Sequence, residues 1–155
     1  MPESKTNNLE SPIGIFNVAD SYYAAAELLA KTKLSTTHSS FPTHFLFNQA
    51  LELYLKAFLR LHGGKSRGHE FGPLVRRAEK KGLPIDMSDK QTLEMLDAND
   101  VAHKSRYLRV GYYENHPTTE LLQTACENIR KYVSNAFKES GQPLRPNPKT
   151  YTLPK

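Results

Sequence analysis

The stretch over residues 44–64, HFLFNQALELYLKAFLRLHGG, constrains the fold more than any other part of the chain. Its apolar residues recur every three or four positions, the spacing that places side chains on one face of an α-helix. Gly63 and Gly64 follow, and glycine readily adopts the positive φ that ends a helix. The pattern predicts a long core helix with its apolar face made of Leu46, Ala50, Leu53, Ala57 and Leu61, widened by Phe47, Tyr54 and Phe58.

A second face of this predicted helix is charged. Glu52, Lys56 and Arg60 fall four residues apart, and an acid that precedes a base at this spacing stabilises a helix by ~0.2–0.5 kcal/mol per pair. We expect this face to meet solvent or a functional site.

Length and charge narrow the class of protein. The chain has 155 residues, enough for one domain with a real core but short for two. No apolar run approaches the ~20 residues of a membrane span, and the polar N-terminus lacks the features of a secretory signal, so we expect a cytoplasmic protein. Lys and Arg outnumber Asp and Glu by 21 to 16, a net charge of +5, which favours phosphate-bearing partners.

The cysteine and histidine content argues against metal and cofactor chemistry. Cys126 is the single cysteine, so an internal disulfide and a cysteine-rich zinc site are excluded, and we expect a small buried side chain. The six histidines form no His-x-x-x-His pair and no Glu-x-x-His motif, the spacings typical of metal sites on helices. We predict no metal ion and no cofactor.

Four further amphipathic helices accompany the central one. The periodicity predicts helices over residues 13–31, about 43–62, 68–81, 88–104 and 118–138. Ser88 is the expected N-cap of the fourth helix and Thr118 or Thr119 that of the last, because such hydroxyls accept bonds from the first helical amides. No long strand pattern occurs.

Five such helices can bury their apolar faces only against one another, which predicts an all-α, antiparallel up-and-down helical bundle over residues 13–138. Residues 1–12 are polar and predict a flexible N-terminal segment. Residues 139–155 form a proline-rich tail, which we expect to be extended, disordered or docked on a partner.

Several segments together resemble a known family. They are Tyr22-Tyr23-Ala24, the run QALELYLKA over residues 49–57, His69 with Leu74 behind it, and Ser105-Arg106-Tyr107. In this order, over about residues 13–137, they resemble the HEPN domain (higher eukaryotes and prokaryotes nucleotide-binding), an all-α bundle. The resemblance also implies a homodimer formed through helices.

The family resemblance implies two different functions. Some HEPN proteins are nucleotide- or RNA-associated binding modules, often encoded with a nucleotidyltransferase. Others are metal-independent ribonuclease toxins of toxin–antitoxin pairs, in which an Arg, four to six residues and then a His form a composite site across a dimer, with an Asn after the Arg. The resemblance therefore suggests a nucleotidyltransferase or an antitoxin as a protein partner.

The residues that would carry ribonuclease activity are incomplete. His103 is the candidate general acid/base and Asn99 precedes it by four residues, but Ala98 stands where the family has Arg. This departure favours a binding module. In the alternative, a ribonuclease toxin, Arg106 replaces the missing guanidinium. His103 also fits a partly buried histidine of the bundle, and a third alternative is a helical adaptor that binds only protein.

A spacing of six residues also separates Arg109 from His116. Val110 replaces the expected Asn there, and Gly111 and Pro117 argue against a continuous helix, so we interpret this match as chance.

The exit of the central helix is the candidate phosphate or nucleotide site. Leu59 replaces the first glycine of a Walker motif, and the segment follows a helix instead of a strand, so a P-loop is excluded. Lys65 and Arg67 lie near the first amides of the predicted third helix, where charge and helix dipole favour an anion. Lys56 and His69 complete the predicted site. The alternative is a solvated basic turn.

Overall fold

The computed structural model describes residues 11–99 and 117–148, which form five α-helices and no strand. No helix among these residues is long and apolar enough to cross a membrane. The all-α helical bundle predicted from the sequence is confirmed. Its helices are α1 (Pro12–Ala30), α2 (Ser40–Leu61), α3 (Phe71–Lys80), α4 (Met87–Asn99) and α5 (Thr119–Glu139).

Helix α2 lies at the centre, as the spacing of its apolar residues predicts. It packs against α1, α3 and α5, while α4 packs against α3 and α5. Because α2 has neighbours on several sides, its buried surface is wider than the predicted stripe: Leu46, Leu53 and Leu61 are only partly buried. The fully or almost fully buried residues include Phe47, Ala50, Leu51, Tyr54, Leu55, Ala57, Phe58 and Leu59.

Aromatic rings join the three longest helices. The ring of Phe16 on α1 lies 5.2 Å from those of Tyr54 on α2 and Phe137 on α5, measured between centroids. Tyr23, two turns further along α1, contacts Phe47 near the start of α2. Helices α1 and α2 are therefore antiparallel. Cys126 is buried in this core, as predicted.

A buried ion pair crosses the same core. Arg130 Nε and Nη2 donate to the two carboxylate oxygens of Asp20 at 2.8 and 3.1 Å, and the Tyr54 hydroxyl donates to the same carboxylate. The Arg130 guanidinium also lies 5.3 Å from the centroid of the Phe16 ring. Burial raises the pKa of the Tyr54 phenol far above its ordinary value. One polar network thus connects α1, α2 and α5.

The helix starts bear out one predicted cap and correct two other boundaries. Thr118 accepts a hydrogen bond from Leu121 N and caps α5, as predicted. Ser88 does not cap α4: the helix begins one residue earlier, and the Asp86 carboxylate accepts from Asp89 N. Helix α3 does not begin at Gly68, because the φ of +91° at this residue is incompatible with a right-handed helix.

The chain ends partly outside the described residues. The predicted tail begins where α5 ends, and Gln142 N donates to Phe137 O while Leu144 packs against the core. The predicted flexible segment over residues 1–12 lies almost wholly outside the described residues, as do the continuation of α4 to Lys104 and the end of the tail, residues 149–155.

Candidate functional site

The connection between α2 and α3, residues 62–70, is here called the basic turn. Gly63, with φ of +68°, directly follows the C-cap His62, and Gly64 N donates to Leu59 O at 2.7 Å, a bond that closes the end of α2. The chain then returns alongside α2, because His69 contacts Glu52, three turns before the end of α2. Helix α3 therefore starts beside the middle of α2.

Arg77 on α3 fixes the main chain of the basic turn. Its Nη1 donates to Lys65 O at 2.9 Å and its Nη2 to Arg67 O at 2.7 Å, while Nε donates to Pro73 O. The side chains of Lys65 and Arg67 point into solvent, and neither forms an ion pair within residues 11–99 and 117–148. The turn thus presents two cations from a fixed backbone.

A buried carboxylate joins α2 to the end of the basic turn. Glu52 is only 4% exposed, and its Oε1 lies 2.7 Å from both Lys56 Nζ and His69 Nδ1. The prediction that this charged face meets solvent is wrong for Glu52. Burial of a carboxylate is tolerated here because an ammonium and an imidazole satisfy it.

The first amides of α3 already have an anionic partner. Phe71 N and Gly72 N each donate, at 2.8 Å, to one carboxylate oxygen of Asp97 on α4. The expectation that amides at this helix start bind an external phosphate is therefore corrected: the side chain of Asp97 holds that position. The charge that remains for a ligand comes from side chains.

Positive charge is concentrated around the basic turn. Residues 60–81 contain seven Arg or Lys and two Glu, a net charge of +5, which equals the net charge of the whole chain. Arg60, Arg76, Lys80 and Lys81 are exposed, as are Lys65 and Arg67 in the turn. This surface, from Arg60 to Lys81, is the strongest candidate for binding an anion.

A family comparison agrees with this architecture. The family model described as "HEPN domain" matches residues 16–136, most of the chain. The chain belongs to the HEPN family. No curated protein and no solved structure gives a significant match. Membership supports a nucleotide- or RNA-related module in general terms, in a family that includes ribonuclease-type members.

The HEPN bundle brings together some of the predicted site residues. Lys56 and His69 meet at Glu52, and Lys65 and Arg67 share the basic turn. Contact of these four residues with a phosphate stays a prediction. For Lys56 the structure supplies an intramolecular partner, because its ammonium is held by Glu52.

The predicted ribonuclease residues are mostly outside the described part of the chain. Asn99 is the last residue of α4, whereas His103 and Arg106 lie in residues 100–116, as do Arg109 and His116. Their role in catalysis stays a prediction. Asp97 places the last turn of α4 against the start of α3, so α4 ends beside the basic turn.

Sequence reasoning missed Arg77, Asp97 and the anchoring role of Glu52. Arg77 and Asp97 act on residues 10 to 26 positions away, and a local pattern carries no signal for such contacts. Glu52 was read as one member of a helical charge series, although its apolar neighbours Leu51 and Leu53 hint at burial. Among the described residues no group of three His, Cys, Asp or Glu is arranged to hold a metal ion.

Proposed function

We propose that this HEPN-family chain is a nucleotide- or RNA-associated binding module and that the surface from Arg60 to Lys81 binds the phosphates of its ligand. The observation that carries the proposal is the charge distribution: the entire net charge of +5 falls within these 22 residues. Lys65 and Arg67 contribute most directly, because Arg77 fixes their main chain while their side chains extend into solvent.

The test is a titration of RNA and of mononucleotide against the parent and the double variant Lys65→Ala, Arg67→Ala across a salt series. Each phosphate contact that is lost flattens the dependence of log K on log salt by about 0.7 for a single strand and about 1 for a duplex. We expect weaker binding and a slope reduced by between one and two units in the double variant.

A matched control separates a site from overall charge. Lys31→Ala, Lys33→Ala removes the same two charges from exposed positions just after α1. We expect this variant to retain most of the affinity and slope of the parent. Equal losses in both double variants would mean that only the total charge matters, and the proposed surface would be wrong.

The same titrations test the alternative, an endoribonuclease. RNA products that end in a cyclic phosphate and disappear in His103→Ala would replace the binding module by an enzyme that uses His103, Asn99 and Arg106. A chain that binds neither RNA nor nucleotide at low salt would favour the protein adaptor.

We further propose that the module forms a homodimer, as the resemblance to HEPN proteins implies, and that a nucleotidyltransferase or an antitoxin is its protein partner. Most oligomers of soluble proteins are symmetric dimers of one chain. Light scattering at working concentration measures this directly, and the mass of one 17.6 kDa chain would contradict the dimer.

A further inference from the structure

His69 gives one ring nitrogen to the protein and leaves the other facing solvent. Nδ1 lies 2.7 Å from Glu52 Oε1, while the side chain is 78% exposed. Glu52 is the carboxylate partner of the Lys56 ammonium, and a carboxylate only accepts hydrogen bonds. Nδ1 is therefore the donor, and in the neutral imidazole Nε2 is an acceptor.

An outward acceptor selects a particular kind of ligand group. It does not bind a phosphate oxygen, which is itself an acceptor, but it does bind a hydroxyl group. Lys65 and Arg67, two to four residues before His69, supply the cations for a phosphate. A hydroxyl beside a phosphate is the arrangement of the ribose 2′-hydroxyl in RNA, and this group distinguishes RNA from DNA.

Bases have little to stack on at this surface. Residues 60–81 contain no Tyr or Trp, and their one Phe, Phe71, is 2% exposed. Recognition of single-stranded bases depends largely on stacking on exposed aromatic rings. The surface is therefore suited to contacts with the sugar–phosphate backbone of a strand.

We propose that His69 selects ribose over deoxyribose by accepting a hydrogen bond at Nε2 from the 2′-hydroxyl of a strand whose phosphates contact Lys65 and Arg67. This inference rests on the proposed function and names RNA as the ligand class. Glu52 is a positioning residue, because it fixes the imidazole by its Nδ1. Lys56 positions Glu52 in turn.

The experiment compares three oligonucleotides of one sequence, namely RNA, DNA and 2′-O-methyl RNA, by fluorescence anisotropy with the full chain. One hydrogen bond corresponds to about a two- to tenfold difference in affinity. We expect the parent to bind RNA more tightly than DNA by this factor. The 2′-O-methyl strand has no hydroxyl hydrogen to donate, and we expect it to bind like DNA.

Two histidine variants distinguish the assignment from a general effect. His69→Ala is expected to bind all three strands equally, at the affinity of the parent for DNA. His62→Ala is the matched control, because His62 is exposed in the same turn and its Nδ1 lies 3.0 Å from Phe58 O instead of a carboxylate. We expect His62→Ala to keep the preference for RNA.

The outcomes separate this inference from the proposed function. Equal affinity of the parent for RNA and DNA, a preference that survives in His69→Ala, or its loss in His62→Ala overturns the role of His69 and leaves phosphate binding intact. A parent that binds none of the three strands overturns both.

Discussion

At the scale of single residues, the buried carboxylate of Glu52 depends on the two groups that share its Oε1. Lys56→Ala leaves this carboxylate with His69 alone. Removing one partner of a buried ion pair costs up to 3–5 kcal/mol, and because the Lys56 side chain is still 16% exposed we expect a loss of about 1–3 kcal/mol. Urea unfolding measures it.

A double-mutant cycle supplies the control for this prediction. Glu52→Gln removes the charge that Lys56 neutralises, so the loss in the double variant Glu52→Gln, Lys56→Ala should be smaller than the sum of the single losses. Strictly additive losses would contradict a shared ion pair.

Asp89 gives a pH-dependent term at the residue scale. Burial and the neighbouring Asp86 raise its pKa from 3.8 to about 6, while Asn128 donates to its carboxylate at 3.2–3.3 Å. The folded state therefore binds this proton more tightly than the unfolded state. Its stabilising effect is complete below about pH 4 and is lost as the pH rises through about 6.

We therefore expect Asp89→Asn to be more stable than the parent at pH 7.5 by about 1–2 kcal/mol and to differ little from it near pH 4. The amide oxygen of the new Asn still accepts from Asn128. Glu94→Gln, an exposed acid on the same helix, should show no such change. An Asp89→Asn advantage that is equal at both pH values would refute the raised pKa.

At the scale of helices, Asp97 connects α4 to the start of α3. It accepts from two amides that otherwise have no partner within α3. Losing a capping carboxylate costs about 1–3 kcal/mol, which we expect for Asp97→Ala in urea unfolding. Hydrogen exchange at Phe71 and Gly72 should accelerate in this variant.

Glu94→Ala removes an acid of the same helix that is exposed, and we expect it to leave stability and exchange at α3 unchanged. If Asp97→Ala exchanges like the parent at Phe71 and Gly72, the amides have another partner and the cap is not essential.

The same scale shows what the sequence predicts and what it does not. Periodicity predicts the existence of every described helix, and a local signal such as Thr118 also predicts where a helix starts. Gly68 and Ser88 misplaced two starts, because several residues with turn or capping propensity lie close together there and tertiary contacts decide between them. The site is predicted as a basic turn, but the contacts of Arg77 and Asp97 that shape it are non-local.

At the scale of the whole molecule, the two polar networks lie on opposite sides of α2. Tyr54 is two residues from both Glu52 and Lys56, about 160° around a helix of 3.6 residues per turn. The network of Asp20, Tyr54 and Arg130 faces α1 and α5, whereas Glu52 faces the basic turn. Stability of the bundle and ligand binding should therefore be separable by mutation.

Arg130→Met tests this separation. It leaves the Asp20 carboxylate with Tyr54 alone in a site where the two ionic side chains are 8% and 12% exposed. Breaking a buried pair in this way costs about 3–5 kcal/mol, and neutralising its partner with Asp20→Asn should recover part of the loss. Urea unfolding of the single and double variants measures both effects, while RNA affinity measured below the unfolding transition should equal that of the parent. A double variant no more stable than Arg130→Met, or a loss of RNA affinity in folded protein, would show that the two sides of α2 are coupled.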